Sequence, residues 1–364
     1  MILHAVLRHD GSETRRRDGA LVPVVELGPL LPVPWPVAAA GSTGMPDWGR
    51  FGGAVCAPEL TRQDPGAIRS LLWGLGDLRL AAKSARLEAA LTAQTPADLL
   101  CAELWDGLGF SANREPMRAL ADLLPLAAVE AALATISASG RSTVARGLLF
   151  GTAGFLPLAP ADAAFAGFDG EAVAAAEAAW RRLGTPWHDL ALAPTRWTRT
   201  RVRPANHPAA RLASAAAWVS AAQARGGLLA ALLGPLRAGE DPVQTLRDLA
   251  REGGGPTIGE ERAGGLVANA LLPFALALAE QGGDGELTDA AARAWERLPG
   301  AESNAITRRA QRQVAGSARL PALGARGQQG LIQLDASLCS PRRCFECPVA
   351  RAVVAAESAP APPS

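Results

Sequence analysis

Lysine is almost missing from this chain: Lys83 is the only one among 36 basic residues, and the rest are arginine. With the high Ala, Gly and Pro content, this reads as a coding bias toward GC-rich codons, so an arginine here is no functional signal merely by being arginine. Net charge is missing too. The 36 basic and 35 acidic residues leave +1, which excludes a global attraction to nucleic acid and leaves any such role to local patches. Long apolar runs are lacking: the longest, Leu266 to Ala279, is 14 residues, short of the roughly 18–20 that a bilayer needs. Met1-Ile-Leu-His-Ala-Val-Leu-Arg-His-Asp has no basic start, no sustained apolar region and no small-residue cleavage site. These absences predict a cytoplasmic protein with no membrane partner, whose thiols stay reduced and free to bind metal. Catalytic signatures are absent as well. There is no Gly-x-Ser-x-Gly elbow, no phosphate loop ending in Gly-Lys-Ser/Thr and no His-Glu-x-x-His, and His4, His9, His188 and His207 are scattered.

What remains is enough for a substantial core. The chain has 364 residues, 49% apolar and 20% charged, and accommodates one large or two ordinary domains. Residues 2–7 and 21–27 are β-like and predict a hairpin or two neighbouring strands. Residues 31–62 are rich in Pro and Gly, hold Trp35 and Trp48, and read as an irregular connection. From about Asp64 the apolar period is helical almost to the end, which predicts a mainly α fold: a large multi-helix domain over 63–350 after a short β element over 1–30. Thr95-Pro-Ala-Asp98 supplies a hydroxyl cap, a first-turn proline and a carboxylate at the positive helix end. The stretch 258–281 is apolar nearly all round, hence central, and Pro273 within it predicts a kink with Asn269 as a polar residue of the core. Residues 351–364 read as a disordered tail.

The strongest chemical signal is Cys339-Ser-Pro-Arg-Arg-Cys344-Phe-Glu-Cys347-Pro348, three of the five cysteines within nine residues. Such clustering in a chain without a secretion signal reads as metal or iron–sulfur ligation before disulfides. A three-thiol site is one ligand short. Cys101 falls on the apolar stripe of a helix and packs as a small hydrophobe, whereas Cys56 lies in a loop and is free to turn toward a metal. A site of Cys56, Cys339, Cys344 and Cys347 suits an iron–sulfur cluster, slightly favoured by Pro348, or tetrahedral zinc. It would clasp the two ends of the chain and stabilise the fold by several kcal/mol through loop closure.

Arginine clustering comes second. Between Ala191 and Gly239 there is no acidic residue, yet there are Arg196, Arg199, Arg201, Arg203, Arg211, Arg225 and Arg237. If Arg199-Thr-Arg-Val-Arg203 is extended, alternation puts three guanidiniums on one face, next to Trp197 and Asn206. That combination suits phosphate contact and base stacking, with DNA or RNA as partner. Arg308, Arg309, Arg312, Arg319 and Arg326 form a second acid-free run, and Arg342 and Arg343 lie inside the cysteine cluster. The competing reading is internal ion pairing, with the protein a metal-stapled scaffold.

Four stretches carry a family likeness: Leu104-Trp-Asp-Gly-Leu-Gly-Phe-Ser-Ala-Asn-Arg-Glu-Pro-Met117, Leu149-Phe-Gly-Thr-Ala-Gly154, Arg201-Val-Arg-Pro-Ala-Asn-His-Pro208, and Gln328-Gln-Gly-Leu-Ile332 with the terminal cysteines. Through them the chain resembles the bacterial domain-of-unknown-function family 2851 over nearly its full length. The resemblance favours Cys56 as the fourth ligand. It also implies a β-rich upstream module, similar to the PD-(D/E)xK nucleases, of which residues 2–27 match only the final strands. No catalytic carboxylate carries over, Met1 reads as an internal start, and the expected function is the nucleic-acid-binding helical part of a nuclease-related protein.

Overall fold

The computed structural model describes residues 3–6, 8–16, 18–30, 56, 65–316 and 320–357. Trp35, Trp48, nearly all of the Pro/Gly-rich connection, Arg319 and the end of the tail lie outside the described residues.

The protein is mainly α. Strands β1 (His4–Val6) and β2 (Val24–Glu26) are neighbours, but they run parallel, with His4 opposite Val24 and Val6 opposite Glu26. Parallel strands cannot be joined by a tight turn, so the pair is not a hairpin; the connection folds back through an isolated antiparallel bridge between Arg15 and Leu21.

Helices follow in close succession. They are α1 (Pro65–Ala90), α2 (Pro96–Leu108), α3 (Arg114–Leu123), α4 (Leu126–Ala134), α5 (Ala138–Thr152), α6 (Pro160–Ala166), α7 (Gly170–Leu183) and α8 (Pro208–Ala222). Then come α9 (Leu228–Arg237), α10 (Pro242–Glu252), α11 (Glu260–Gly282), α12 (Gly285–Arg297), α13 (Ala305–Ala315), α14 (Gly324–Leu334) and α15 (Pro348–Glu357). Helix α15 occupies residues expected to be tail. Local chemistry sets many starts. The Thr95 hydroxyl accepts from the Asp98 amide at 3.2 Å, and Asn304 and Thr307 cap α13 reciprocally.

Helix α11 is long and apolar enough to cross a membrane by length and composition, which the 14-residue run alone is not, and 67% of its most apolar window is buried inside the protein. Proline at 273 has no N–H for the ladder, and the helix widens just before it into a π-turn over Val267–Leu271, where the Leu272 amide donates to the Val267 carbonyl. Asn269 is not in the core. It is exposed, donates to the Gly265 carbonyl at 2.8 Å, and accepts from Lys83.

Two apolar cores result. The larger one unites helices α1 to α12 around Trp105, Trp218, Phe150 and Phe274 and includes Cys101. The smaller one joins the start of α1 (Ile68, Leu72, Leu75) to α13, α14 and α15. Helix α1 spans both, and its crossing with α14 is close enough to require glycine on each side. A methyl on Gly330 would overlap the Leu72 carbonyl, and one on Gly76 would overlap that of Arg326. Around this crossing, Arg326 forks onto Asp77 at 2.8 and 2.6 Å, and Trp295 donates to Asp77 at 2.9 Å. Trp73 donates to the Leu323 carbonyl at 3.0 Å, and Arg79 donates to Gln329 at 2.8 Å.

Candidate functional sites: a cysteine clasp and an arginine-lined cleft

The four proposed thiols meet in the smaller core. Cys56 and Cys347 are buried there, and Cys339 and Cys344 pack against it half-buried. Each end of the loop is shaped for the approach. A π-turn over Asp335–Cys339 ends α14 and delivers Cys339. Arg309 anchors the buried Asp335 beneath it with a two-pronged pair, one bond being 2.7 Å. The chain then reverses through Arg342, whose φ of 58° is left-handed, as its amide donates to the Cys339 carbonyl at 3.1 Å and the Arg343 amide to Leu338 at 2.8 Å. Cys347 sits just before α15; burial pushes its thiol up, against a smaller lowering by the Ala350 and Val349 amides. Gln313 donates to the Cys56 sulfur at 3.7 Å.

Burial, followed by the neighbouring thiols Cys347 and Cys344, pushes the Cys56 thiol up to about 11. Burial and then Cys347 and Cys56 push Cys339 up to about 12. Cys56 and Cys339 therefore lie within electrostatic reach of each other and of Cys347. Among the described residues, no three His, Cys, Asp or Glu side chains stand in a metal-holding arrangement as they lie.

Several of the arginines singled out for nucleic acid are paired with carboxylates. Arg196 pairs with Glu115. Arg199 pairs with Asp162 at 2.9 Å and lies 4.2 Å over the Phe155 ring. Arg343 pairs with Glu346. Arg309 and Arg326 pair with Asp335 and Asp77. Trp197 is 5% exposed, donates to the Ala153 carbonyl at 2.8 Å and meets Phe155 edge-on, so its indole is not presented for stacking. Residues 199–203 are not extended either. They form bends, with Arg201 in a left-handed conformation at φ 57°, so alternation does not align three guanidiniums.

What the bend does is turn Arg201 and Arg203 into a cleft of about 560 Å³. Its other walls come from Gly109–Asn113, from Glu261 and from Glu302–Arg308. Among the described residues neither Arg201 nor Arg203 has a carboxylate partner, and Arg308 reaches only the Ser303 carbonyl, at 2.6 Å. Asn113 ties two walls together, accepting from the Thr198 amide at 2.8 Å and donating to its carbonyl at 3.0 Å. Phe110, left-handed at φ 53° and 46% exposed, presents a ring backed at 4.1 Å by Arg262. Among the described residues, the three left-handed non-glycines, Phe110, Arg201 and Arg342, all fall at the two sites; such conformations cost about 1 kcal/mol or more each and persist where surrounding structure imposes them.

Helix starts add to the field. The Asn113 cap of α3, Glu261 in the first turn of α11 and the Asn304–Ala305 start of α13 line the cleft, and Asn206 stands two residues before α8, so several positive dipole ends adjoin one cavity. Glu261 and Glu302 temper it. Behind the wall, Arg211 and Arg262 both donate to Asn206 Oδ1, at 3.1 and 3.0 Å. Arg211 is buried rather than surface-facing. Burial, then the charge of Arg262, brings it down to about 10.

Sequence reasoning missed Phe110, Arg262 and the convergence of Arg308 with Arg201 and Arg203. The available signal was that Phe110 and Arg201 both sit inside stretches carrying the family likeness.

Fold and sites define a class: a mainly α protein with four cysteines gathered at its smaller core and an arginine-lined cleft. The chain matches the family described as "Protein of unknown function (DUF2851)" over residues 1–231, and it belongs to that family. The match takes in Cys56, Phe110 and the Arg201–Pro208 stretch and stops before Cys339, short of the nearly full-length likeness expected. No curated protein and no solved structure matches the chain.

Proposed function

We propose that this protein binds nucleic acid in the cleft, as the helical part of a nuclease-related protein. Its ends would be held by Cys56, Cys339, Cys344 and Cys347 around an iron–sulfur cluster or, as the alternative, zinc. One observation carries the reading. Arg201, Arg203 and Arg308 come from segments about a hundred residues apart and, with no carboxylate partner among the described residues, open onto one cavity beside an exposed phenylalanine. Guanidiniums grip phosphates, and a free aromatic face stacks on any base. The reading assigns no catalytic residue in this chain. At the clasp, a bound metal would supply the charge that lets buried thiols exist as thiolates.

The test is binding of a labelled single-stranded 20-mer across 50–200 mM salt. Replacing Arg201, Arg203 and Arg308 with Ala together is expected to lower the salt slope by about 2, at about 0.7 for each phosphate no longer neutralised. An unchanged slope, or no binding at low salt, refutes the proposal. A second reading, a metal-stapled scaffold with no nucleic-acid role, is supported by the ion pairs of Arg196, Arg199 and Arg343. It predicts the absence of binding.

A further inference from the structure

Among the described residues, buried charge follows a rule with one exception. Glu103 is buried and receives Arg86 and Arg118; Asp162 is buried and receives Arg199; Asp335 is buried and receives Arg309. Arg211 is 6% exposed, and among the described residues no carboxylate pairs with it. Its guanidinium donates to Asn206 Oδ1, its Nε has no partner, and the same neutral oxygen serves Arg262. Glu261 acts on Arg262 electrostatically without forming an ion pair. Both guanidiniums belong to first turns, Arg211 in α8 and Arg262 in α11, where the helix dipole already disfavours a cation. Two cations on one neutral amide beside two helix starts leave an uncompensated charge that a buried site tolerates poorly. Asn206 lines the cleft and stands between it and the two guanidiniums, neither of which lines the cleft itself, and Phe110, stacked under Arg262, stands at the same wall.

We propose that the cleft seats a terminal phosphate monoester of a single-stranded nucleic acid, its two charges offsetting, across Asn206, those of Arg211 and Arg262 behind the wall while the end base stacks on Phe110. This rests on the nucleic-acid reading and narrows it from any stretch of backbone to a strand end. A backbone diester brings one negative charge; a terminal monoester brings close to two at neutral pH, which matches the pair of guanidiniums. The cavity volume is that of a small-ligand pocket rather than a long groove.

The test compares one 12-mer carrying a 5′-phosphate, a 3′-phosphate or hydroxyls at both ends, in anisotropy titrations at fixed salt. One phosphorylated form is expected to bind at least about tenfold more tightly than the hydroxyl form. Asn206→Asp supplies the missing counter-charge from within, so it is expected to raise Tm and abolish the preference for the phosphorylated end. Phe110→Ala is expected to weaken binding of all three oligomers by about tenfold, in line with the loss of one stacked base. Equal affinity of the wild type for all three, with salt-dependent binding intact, overturns the phosphate seat and leaves the cleft reading standing. A lowered Tm in Asn206→Asp with the preference retained overturns it as well. Absence of binding by every oligomer overturns both.

Discussion

Replacing Gly330 with alanine sets two known effects against each other, and the structure decides the sign. Alanine is favoured over glycine inside a helix by about 0.8–1 kcal/mol. At Gly330, however, the added methyl would overlap the Leu72 carbonyl oxygen and stand 2.8 Å from its carbon and 3.2 Å from the Gly76 nitrogen. To restore ordinary contact, α14 and α1 must part by roughly an ångström, and overpacking of this kind costs about 1–3 kcal/mol. Separation also strains the Asp77–Arg326 fork and the Trp73–Leu323 bond, about 1 kcal/mol apiece if broken. The net expectation is destabilisation by about 2 kcal/mol in urea unfolding followed by tryptophan fluorescence, with faster amide exchange in α14. Gly74→Ala is the internal control. Gly74 lies within α1 with no atom within 4 Å of the added methyl, so propensity should stabilise it by up to about 1 kcal/mol. If Gly330→Ala stabilises as much as Gly74→Ala does, the close crossing is wrong.

Lys83 offers an unusually clean titration because the chain has no other lysine. Burial, reinforced by Arg79 and Arg86 and opposed by Glu103, lowers its ammonium to about 7. Between about 7 and the usual 10.4, the unfolded chain holds the extra proton, so stability should rise with pH through that window, and Lys83→Met should flatten the slope. Reductive 13C-methylation should show one side-chain amine titrating near 7; a midpoint near 10.5 contradicts the burial. At the clasp, anaerobically purified protein with an iron–sulfur cluster should absorb broadly near ~400 nm and contain iron and sulfide, whereas a zinc form would be colourless with one zinc. Cys56→Ser should cost the bound metal and the stability of the smaller core, while Cys101→Ser should leave metal content unchanged. Equal metal loss in both variants would remove Cys56 from the ligand set.

Local signals were legible in the sequence and long-range pairings were not. The start of α2 could be read from Thr95 and Pro96 because the chemistry that caps a helix lies within four residues of it. The apolar stripe of α1 was legible for the same reason, as was the inward packing of Cys101. The direction of β2 against β1 was not, because a short apolar strand satisfies either pairing. Trp197 looked available in sequence, but its indole faces inward to a carbonyl 44 residues away. The ion pairs of Arg196 and Arg199 likewise span 81 and 37 residues. The cleft was hidden more deeply: residues near 110, 201 and 308 share no local pattern and meet only once the helices have packed. Gln328-Gln-Gly-Leu-Ile332 carried information of another kind. Gly330 and Gln329 serve the crossing with α1, so that stretch reports packing rather than chemistry.

The claim that nucleic acid occupies the cleft is tested most directly by photocrosslinking a 12-mer that carries 5-iododeoxyuridine at its end, followed by peptide mapping. The account predicts a principal crosslink at Phe110, or within Arg201–Asn206, that disappears at high salt. A principal crosslink near Arg342 and Phe345, or no crosslink at low salt, would contradict it.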